Sequence, residues 1–244
     1  MLTERFGIRA VSSASADVAS EFRYAAPMLT RRSLLVAVSQ SGETADTLAA
    51  VRLAREQGAT VLSVCNVVGA SIPRASHAAL YTRAGPEIGV ASTKAYTTQL
   101  MALMQLALHL GSLRGAVPRA EAARQTAVLR RTPRLAAEAL RLDAEVQRLA
   151  RDLRRRRDFF FIGRHVNSAT ALEGALKLKE ISYLHAEGYL GGELKHGPLA
   201  LIEPGLPVIA ILQDGPLYPK MLSNVQQVAA RGGRVIAVSS APRV

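Results

Sequence analysis

Five short apolar runs, at residues 34–38, 60–65, 159–162, 208–212 and 235–238, alternate with longer segments of helical spacing at 44–57, 92–110, 120–153, 167–185 and 219–231. No other feature constrains the fold as tightly. Strands separated by helices cannot pair as hairpins. Each connection must cross over a sheet, which makes the strands parallel and covers both sheet faces with helices. The fold class is therefore α/β, with two doubly wound parallel-sheet halves. Residues 118–157 are rich in alanine and arginine and carry no strand signal, so the spacing predicts two helices there, broken near Thr132-Pro133. The expected organisation is a first subdomain over 1–117, a helical linker over 118–157 and a second subdomain over 158–244.

Composition excludes several classes. A single cysteine, Cys65, rules out a disulfide framework and a cysteine-based zinc cluster. Residues 1–10 carry Glu4, Arg5 and Arg9 and have no apolar core of the kind a signal peptide needs. The longest greasy stretch, 100–110, is interrupted by Gln105 and His109, whereas a bilayer span takes about 20 apolar residues. No membrane partner is expected, and the location implied is cytoplasmic. A net charge of +12 raises the question of nucleic acid, but the basic residues are dispersed, tryptophan is absent and only 11 residues are Phe or Tyr. Nucleic acid is not an expected partner. The run Arg154-Arg155-Arg156-Arg157 reads as a solvated helix end that complements the helix dipole.

Four segments carry polar groups where chemistry could sit. In the first, Val36-Ala37-Val38 feeds Ser39-Gln40-Ser41-Gly42-Glu43-Thr44, a strand running into a hydroxyl-rich turn that opens a helix. Free backbone N–H groups and the positive end of the helix dipole converge at such a turn, and Gly42 permits close approach of backbone to a ligand. Ser41 alone could cap the helix. Three hydroxyls, on Ser39, Ser41 and Thr44, favour an anion site. The second segment, 85–94, is a polar loop with two glycines before a long apolar helix, where Ser92 or Thr93 could serve only as a cap.

The third is ALEGALKLKEISYLH, residues 171–185. Glu173, Lys177 and Glu180 are spaced four and three apart and share one helix face, as in an exposed ion-pair stripe or in an acid/base relay where the lysine holds a carboxylate ionised. Lysine usage bears on the choice. Of 31 basic residues only five are lysine, and three of those fall between 177 and 195, where a compact titratable cation replaces the arginine used elsewhere. The fourth segment, Gly191-Gly192-Glu193-Leu194-Lys195-His196-Gly197-Pro198, presents Glu, Lys and His on a glycine-bracketed loop. His77, His109, His165 and His185 have no such setting and read as structural or surface residues, and no histidine pair has metal-ligand spacing. Neither a metal nor a cofactor is expected.

SQSGETADTL at 39–48, GPEIGVASTKAYTTQL at 85–100, ALEGALKLKEISYLHAE at 171–187 and GELKHGPLALI at 192–202 together resemble the glutamine-fructose-6-phosphate aminotransferase (isomerizing), or glucosamine-6-phosphate synthase, family. The similarity runs from about residue 20 to 238, and its last two motifs are the more specific. SQSGET-like loops occur throughout sugar isomerase (SIS) domains. The resemblance implies two SIS subdomains, a fructose 6-phosphate substrate, a glucosamine 6-phosphate product and a homodimer. It places Ser39, Gln40, Ser41 and Thr44 on the phosphate, with Val90, Ser92 and Glu173 beside the sugar. It makes Glu180 the base that moves a proton between C1 and C2, Lys177 its polar neighbour, and His196 the ring-opening group that reaches the partner subunit's site.

Departures from the family pattern accompany the match. Family members open with a catalytic N-terminal cysteine in a glutaminase domain, whereas Cys65 ends an internal strand. The Gly-Thr-Ser loop expected before the first subdomain's opening helix, and the C-terminal tail with its Schiff-base lysine, are not found. The expectation is an isomerase region truncated at both ends, without glutamine hydrolysis. A non-catalytic SIS module that binds a sugar phosphate or only dimerises is the alternative.

Overall fold

The apolar run at 34–38 forms a strand in a computed structural model that describes residues 14–240 and divides the chain into two units, Met1–Ala136 and Ala137–Val244. In the first unit a single helical turn, α1 (Ala19–Phe22), leads to β1 (Leu34–Ser39), α2 (Ala45–Glu56), β2 (Thr60–Cys65), α3 (Ser71–Ala75), β3 (Ala78–Tyr81) and α4 (Lys94–Leu113). The three strands are parallel in the order β1-β2-β3, with Ser39 level with Cys65 at their carboxyl ends. Ala37 and Val61 of the sheet pack on Val51 and Ala54 of α2 and Ile72 of α3. In an open parallel sheet ligands gather beyond the carboxyl ends of the strands, which is where the 39–44 turn lies.

Next come α5 (Arg119–Ala139), a 3₁₀ turn (Leu140–Leu142) and α6 (Asp143–Leu153). The helix runs through Pro133 instead of breaking there, and the interruption falls at the 3₁₀ turn. An internal proline costs about 3 kcal/mol, but the alanine, leucine and arginine residues on either side are strong helix formers and carry the turns across it.

The second unit contains β4 (Asp158–Gly163), α7 (Val166–Ser182), β5 (His185–Leu190), a 3₁₀ turn (Pro198–Leu201), β6 (Pro207–Leu212), α8 (Tyr218–Ala230) and β7 (Arg234–Ser239). Its four strands are parallel in the order β5-β4-β6-β7. Alternate residues of β4 feed separate cores: Phe160 and Ile162 pack with Val208, Leu212, Met221 and Val228, while Phe159 packs with Ala175 and Ala186 on the opposite face. Helix α7 stops three residues short of its expected end. Tyr183 turns left-handed (φ 58°) and its N–H donates to Lys179 O, after which His185 begins β5. Glycine, the usual stop signal, is missing from that position.

Helix α7 lies unusually close to the sheet. A Cβ on Gly188 of β5 would stand 2.6 Å from Leu172 Cα, and one on Gly174 would stand 2.9 Å from the Phe161 ring. The helix therefore rests on β5 backbone to backbone, and this sets the height of its polar face.

Candidate functional site

The turn after β1 is built by its own hydroxyls. Ser39, buried at the strand end, accepts the Gly42 N–H at 3.0 Å, and Ser41 Oγ accepts the Glu43 N–H at 3.2 Å. Both hydroxyls accept in these bonds, which leaves each O–H to donate elsewhere. Thr44 is the N-cap of α2, yet it makes no side-chain cap bond, so the first amides of that helix stay open among the described residues. The turn is also clamped from below. Ser71 N donates to Glu43 Oε1 at 2.7 Å and Ile72 N donates to Gly42 O at 2.9 Å. Hydrogen bonds from Ser71 hold the Glu43 carboxyl below the usual carboxylate range.

Gly42 is required for a reason the sequence did not disclose. Its φ is +70°, and a Cβ there would meet Ala70 Cβ at 2.6 Å and Cys65 Sγ at 2.7 Å. The space a side chain needs is filled by the chain's own floor. Burial raises the thiol pKa of Cys65, which suits that packing role. Gln40 follows Ser39 and lines a cavity of about 370 Å³ together with Asn66, Val67, Val68 and Arg83.

The loop after β3 carries Val90, 94% exposed, and Ser92, half-buried. Neither Ser92 nor Thr93 caps α4 with its side chain. Glu87 fills that place: its carboxylate accepts Ala95 N–H at 3.0 Å, Thr93 N–H at 3.3 Å and Thr93 Oγ1–H at 3.3 Å. The Ala95 N–H bond is the main reason its pKa lies below the ordinary value. The two helix N-termini thus differ: the first amides of α4 are taken by the Glu87 carboxylate, whereas Thr44 caps no amide of α2, and the Asp46 carboxylate in its first turn pairs with Arg23 at 3.4 Å.

In the second unit α7 brings Glu173, Lys177 and Glu180 together. Lys177 Nζ lies 3.6 Å from Glu173 Oε1 and hydrogen-bonds Glu180 Oε2. Side-chain exposures of 23%, 21% and 30% set the group apart from the surface pair Arg124–Glu121, whose arginine is 64% exposed. Partial burial opposes charge on Lys177, but the hydrogen bond to Glu180 and the charges of both glutamates outweigh it, so its pKa is raised. The lysine stays a cation and holds two carboxylates in register on one face.

His196 sits apart from this group on the loop after β5. Leu194, fully buried, anchors the loop in the core, and Lys195 and His196 are exposed beside it. Among the described residues no hydrogen bond or ion pair joins His196 to the α7 group. The base of the loop is braced by Arg164, whose guanidinium donates to Asn224 Oδ1 at 2.9 Å and to Gly191 O at 3.5 Å. Arg164, with His165, Asn167, Gln213 and Asp214, also lines a smaller cavity of about 150 Å³ beyond the carboxyl ends of β4 and β6. Sequence reasoning passed over Glu43, Glu87 and Arg164, because each acts beyond the range of a local capping pattern: Glu43 on Ser71, Glu87 on Thr93 and Ala95, and Arg164 on Gly191 and Asn224. Among the described residues there is no group of three or more His, Cys, Asp or Glu that could hold a metal, and no helix long and apolar enough to cross a membrane.

Comparison with known proteins shows the family. The family model described as SIS domain matches residues 10–109 and 152–243. The chain belongs to the SIS domain family. The first SIS match spans the hydroxyl turn and the 85–94 loop, and the second spans α7 and the His196 loop. Among curated relatives, the glutamine–fructose-6-phosphate aminotransferase [isomerizing] of Thermus thermophilus is 53% identical over 224 residues, covering 92% of this chain and 37% of the relative. The enzyme of the same name from Pyrococcus horikoshii is 48% identical over 244 residues, covering all of this chain and 40% of the relative. Among solved structures, the C-terminal domain of glucosamine-fructose-6-phosphate aminotransferase from Francisella tularensis superposes with a TM-score of 0.93 at 42% identity, over 98% of this chain and 66% of that one. The chain thus spans 37–40% of the length of these curated relatives.

Proposed function

We propose that this chain is the sugar-phosphate isomerase part of a glutamine-fructose-6-phosphate aminotransferase, binding fructose 6-phosphate and yielding glucosamine 6-phosphate. The observation that carries the reading is the open N-terminus of α2, ringed by the hydroxyls of Ser39, Ser41 and Thr44, in a unit whose α4 N-terminus is filled by Glu87. A dianionic phosphate suits the first and is repelled from the second. Gln40 borders the same turn, and Val90 and Ser92, on the loop after β3 of the same unit, would contact the sugar.

In the proposed reaction, ammonia adds to the C2 carbonyl of the open-chain ketose and water leaves, giving a C2 imine. Glu180 then takes a proton from C1, the C–H electron pair forms the C1–C2 double bond of an enaminol while the C=N pair takes up a proton at nitrogen, and Glu180 returns its proton to C2 as the C1 hydroxyl releases its own to solvent. The C1 hydroxyl becomes the aldehyde of glucosamine 6-phosphate. Lys177, hydrogen-bonded to Glu180, would hold that carboxylate in place for the transfer. His196, exposed on its loop, would open the sugar ring, in the site of the partner subunit if the chain forms a homodimer. Ammonia would come from a glutaminase domain outside these residues, and a cytoplasmic location fits a biosynthetic role.

Calorimetric titration of the 244-residue chain with fructose 6-phosphate and with fructose tests the reading. Binding of the phosphorylated sugar alone is expected. Equal affinity for the two sugars would refute it.

A further inference from the structure

One side chain closes the loop after β3. Glu87 stands midway along it, and its carboxylate reaches across residues 88–92 to the amides of Thr93 and Ala95 and the hydroxyl of Thr93. The intervening residues form a ring pinned at both ends. Within that ring Ile88 and Val90 are 93% and 94% exposed, Ser92 makes no side-chain hydrogen bond among the described residues, and Ala91 is buried, so Glu87 supplies the polar closure.

We propose that Glu87 is a positioning residue for the sugar: it fixes the loop that presents Val90 and Ser92, and by occupying the positive end of α4 it leaves α2 as the place where the substrate's phosphate binds. This inference rests on the sugar-phosphate reading above and assigns to Glu87 the selectivity for sugar over bare phosphate. The chemistry is specific to glutamate. A carboxylate can accept from three donors at once, and a negative charge complements a helix N-terminus. Glutamine would turn an NH₂ group toward one of those donors. Aspartate keeps the charge but is one methylene too short to span the ring. The depressed pKa of Glu87 agrees with a carboxylate held ionised in this place.

The role is testable in the 244-residue chain with Glu87→Gln and Glu87→Asp, by amide hydrogen exchange over residues 88–95 and by calorimetry with fructose 6-phosphate and inorganic phosphate. Both variants are expected to lose exchange protection at Thr93 and Ala95. Affinity for fructose 6-phosphate should fall about five-fold or more, with inorganic phosphate changing less than about two-fold, because the lost hydrogen bonds hold the sugar loop and not the phosphate turn. Unchanged exchange would show that Glu87 does not hold the loop and would overturn the proposal. Lost protection with undiminished preference for fructose 6-phosphate would make Glu87 a helix cap only, and would overturn it equally. A wild-type chain that itself fails to prefer fructose 6-phosphate over inorganic phosphate would instead refute the functional reading, and this role with it.

Discussion

Thr44→Ala separates binding from folding. In most helices an N-cap threonine satisfies an amide of the first turn, and its loss costs roughly 0.5–2 kcal/mol of stability. Thr44 makes no such bond and its side chain is exposed, so the alanine variant forfeits neither a cap nor a core contact. Its thermal or urea midpoint should match the wild type within about 0.5 kcal/mol, as for other surface changes. Binding should respond differently. A hydroxyl donating to a dianionic phosphate contributes about 1.5–3 kcal/mol, and a decade in Kd corresponds to about 1.4 kcal/mol, so affinity for fructose 6-phosphate should fall between roughly ten-fold and 150-fold. Calorimetry on wild type and variant, paired with urea unfolding, reads both quantities. A variant that loses more than about 1 kcal/mol of stability while binding fructose 6-phosphate unchanged would show that Thr44 caps the helix and leaves the phosphate alone.

Gly42→Ala should be destabilising by about 2–5 kcal/mol in urea unfolding, because a left-handed backbone and a Cβ driven against Ala70 and Cys65 penalise the same residue; a change under about 0.5 kcal/mol would refute the packed-floor account. Glu180→Gln should leave fructose 6-phosphate binding intact while any C1-hydrogen exchange the chain supports in D₂O drops by about 10²–10⁴, and parallel loss of binding would argue against a base. If His196 serves a neighbouring subunit, mixing Glu180→Gln with His196→Ala chains should restore some of that exchange, because in a two-fold dimer the two defects can fall in one site and leave the other intact. The raised pKa of Lys177 sets a pH window: its stabilisation is fully present below its ordinary value of 10.5 and is lost as pH rises through the higher folded value. The stability difference between wild type and Lys177→Met should accordingly be level from about pH 7 to 10 and shrink above that, and a difference that shrinks between pH 7 and 9 would contradict the ion-pair account.

What the sequence made legible followed from local chemistry. β1 and β2 were plain because Leu34, Leu35, Val36 and Val38, and Val61, Leu62 and Val64, dominate two short runs, as parallel strands covered on both faces favour. β3 and β5 were missed because Ala78–Tyr81 and His185–Leu190 offer small or polar residues whose place is decided by their strand neighbours. The helix end at Ser182 was hidden because a tyrosine occupies the left-handed position. In the site, the hydroxyl turn and the i, i+3, i+4 face of α7 could be read from spacing alone. The partial burial of that face could not, since it depends on how closely α7 lies on the sheet. Glu87 escaped for a related reason: its partners lie six and eight residues on, beyond the range of any capping pattern.

The contact of α7 with β5 has a bearing on mutational tolerance. Side chains in a core can change rotamer, and the elements they separate drift apart or together as residues are exchanged. Where backbone rests on backbone, at Gly188 against Leu172, there is no rotamer to absorb a change. Exchanges among the surrounding apolar residues can therefore accumulate without moving Glu180 and Lys177, whereas one added methyl at Gly188 would lift the whole helix. The Glu173–Lys177–Glu180 face is thereby insulated from ordinary sequence divergence in its core and vulnerable at a few positions that carry no functional group at all.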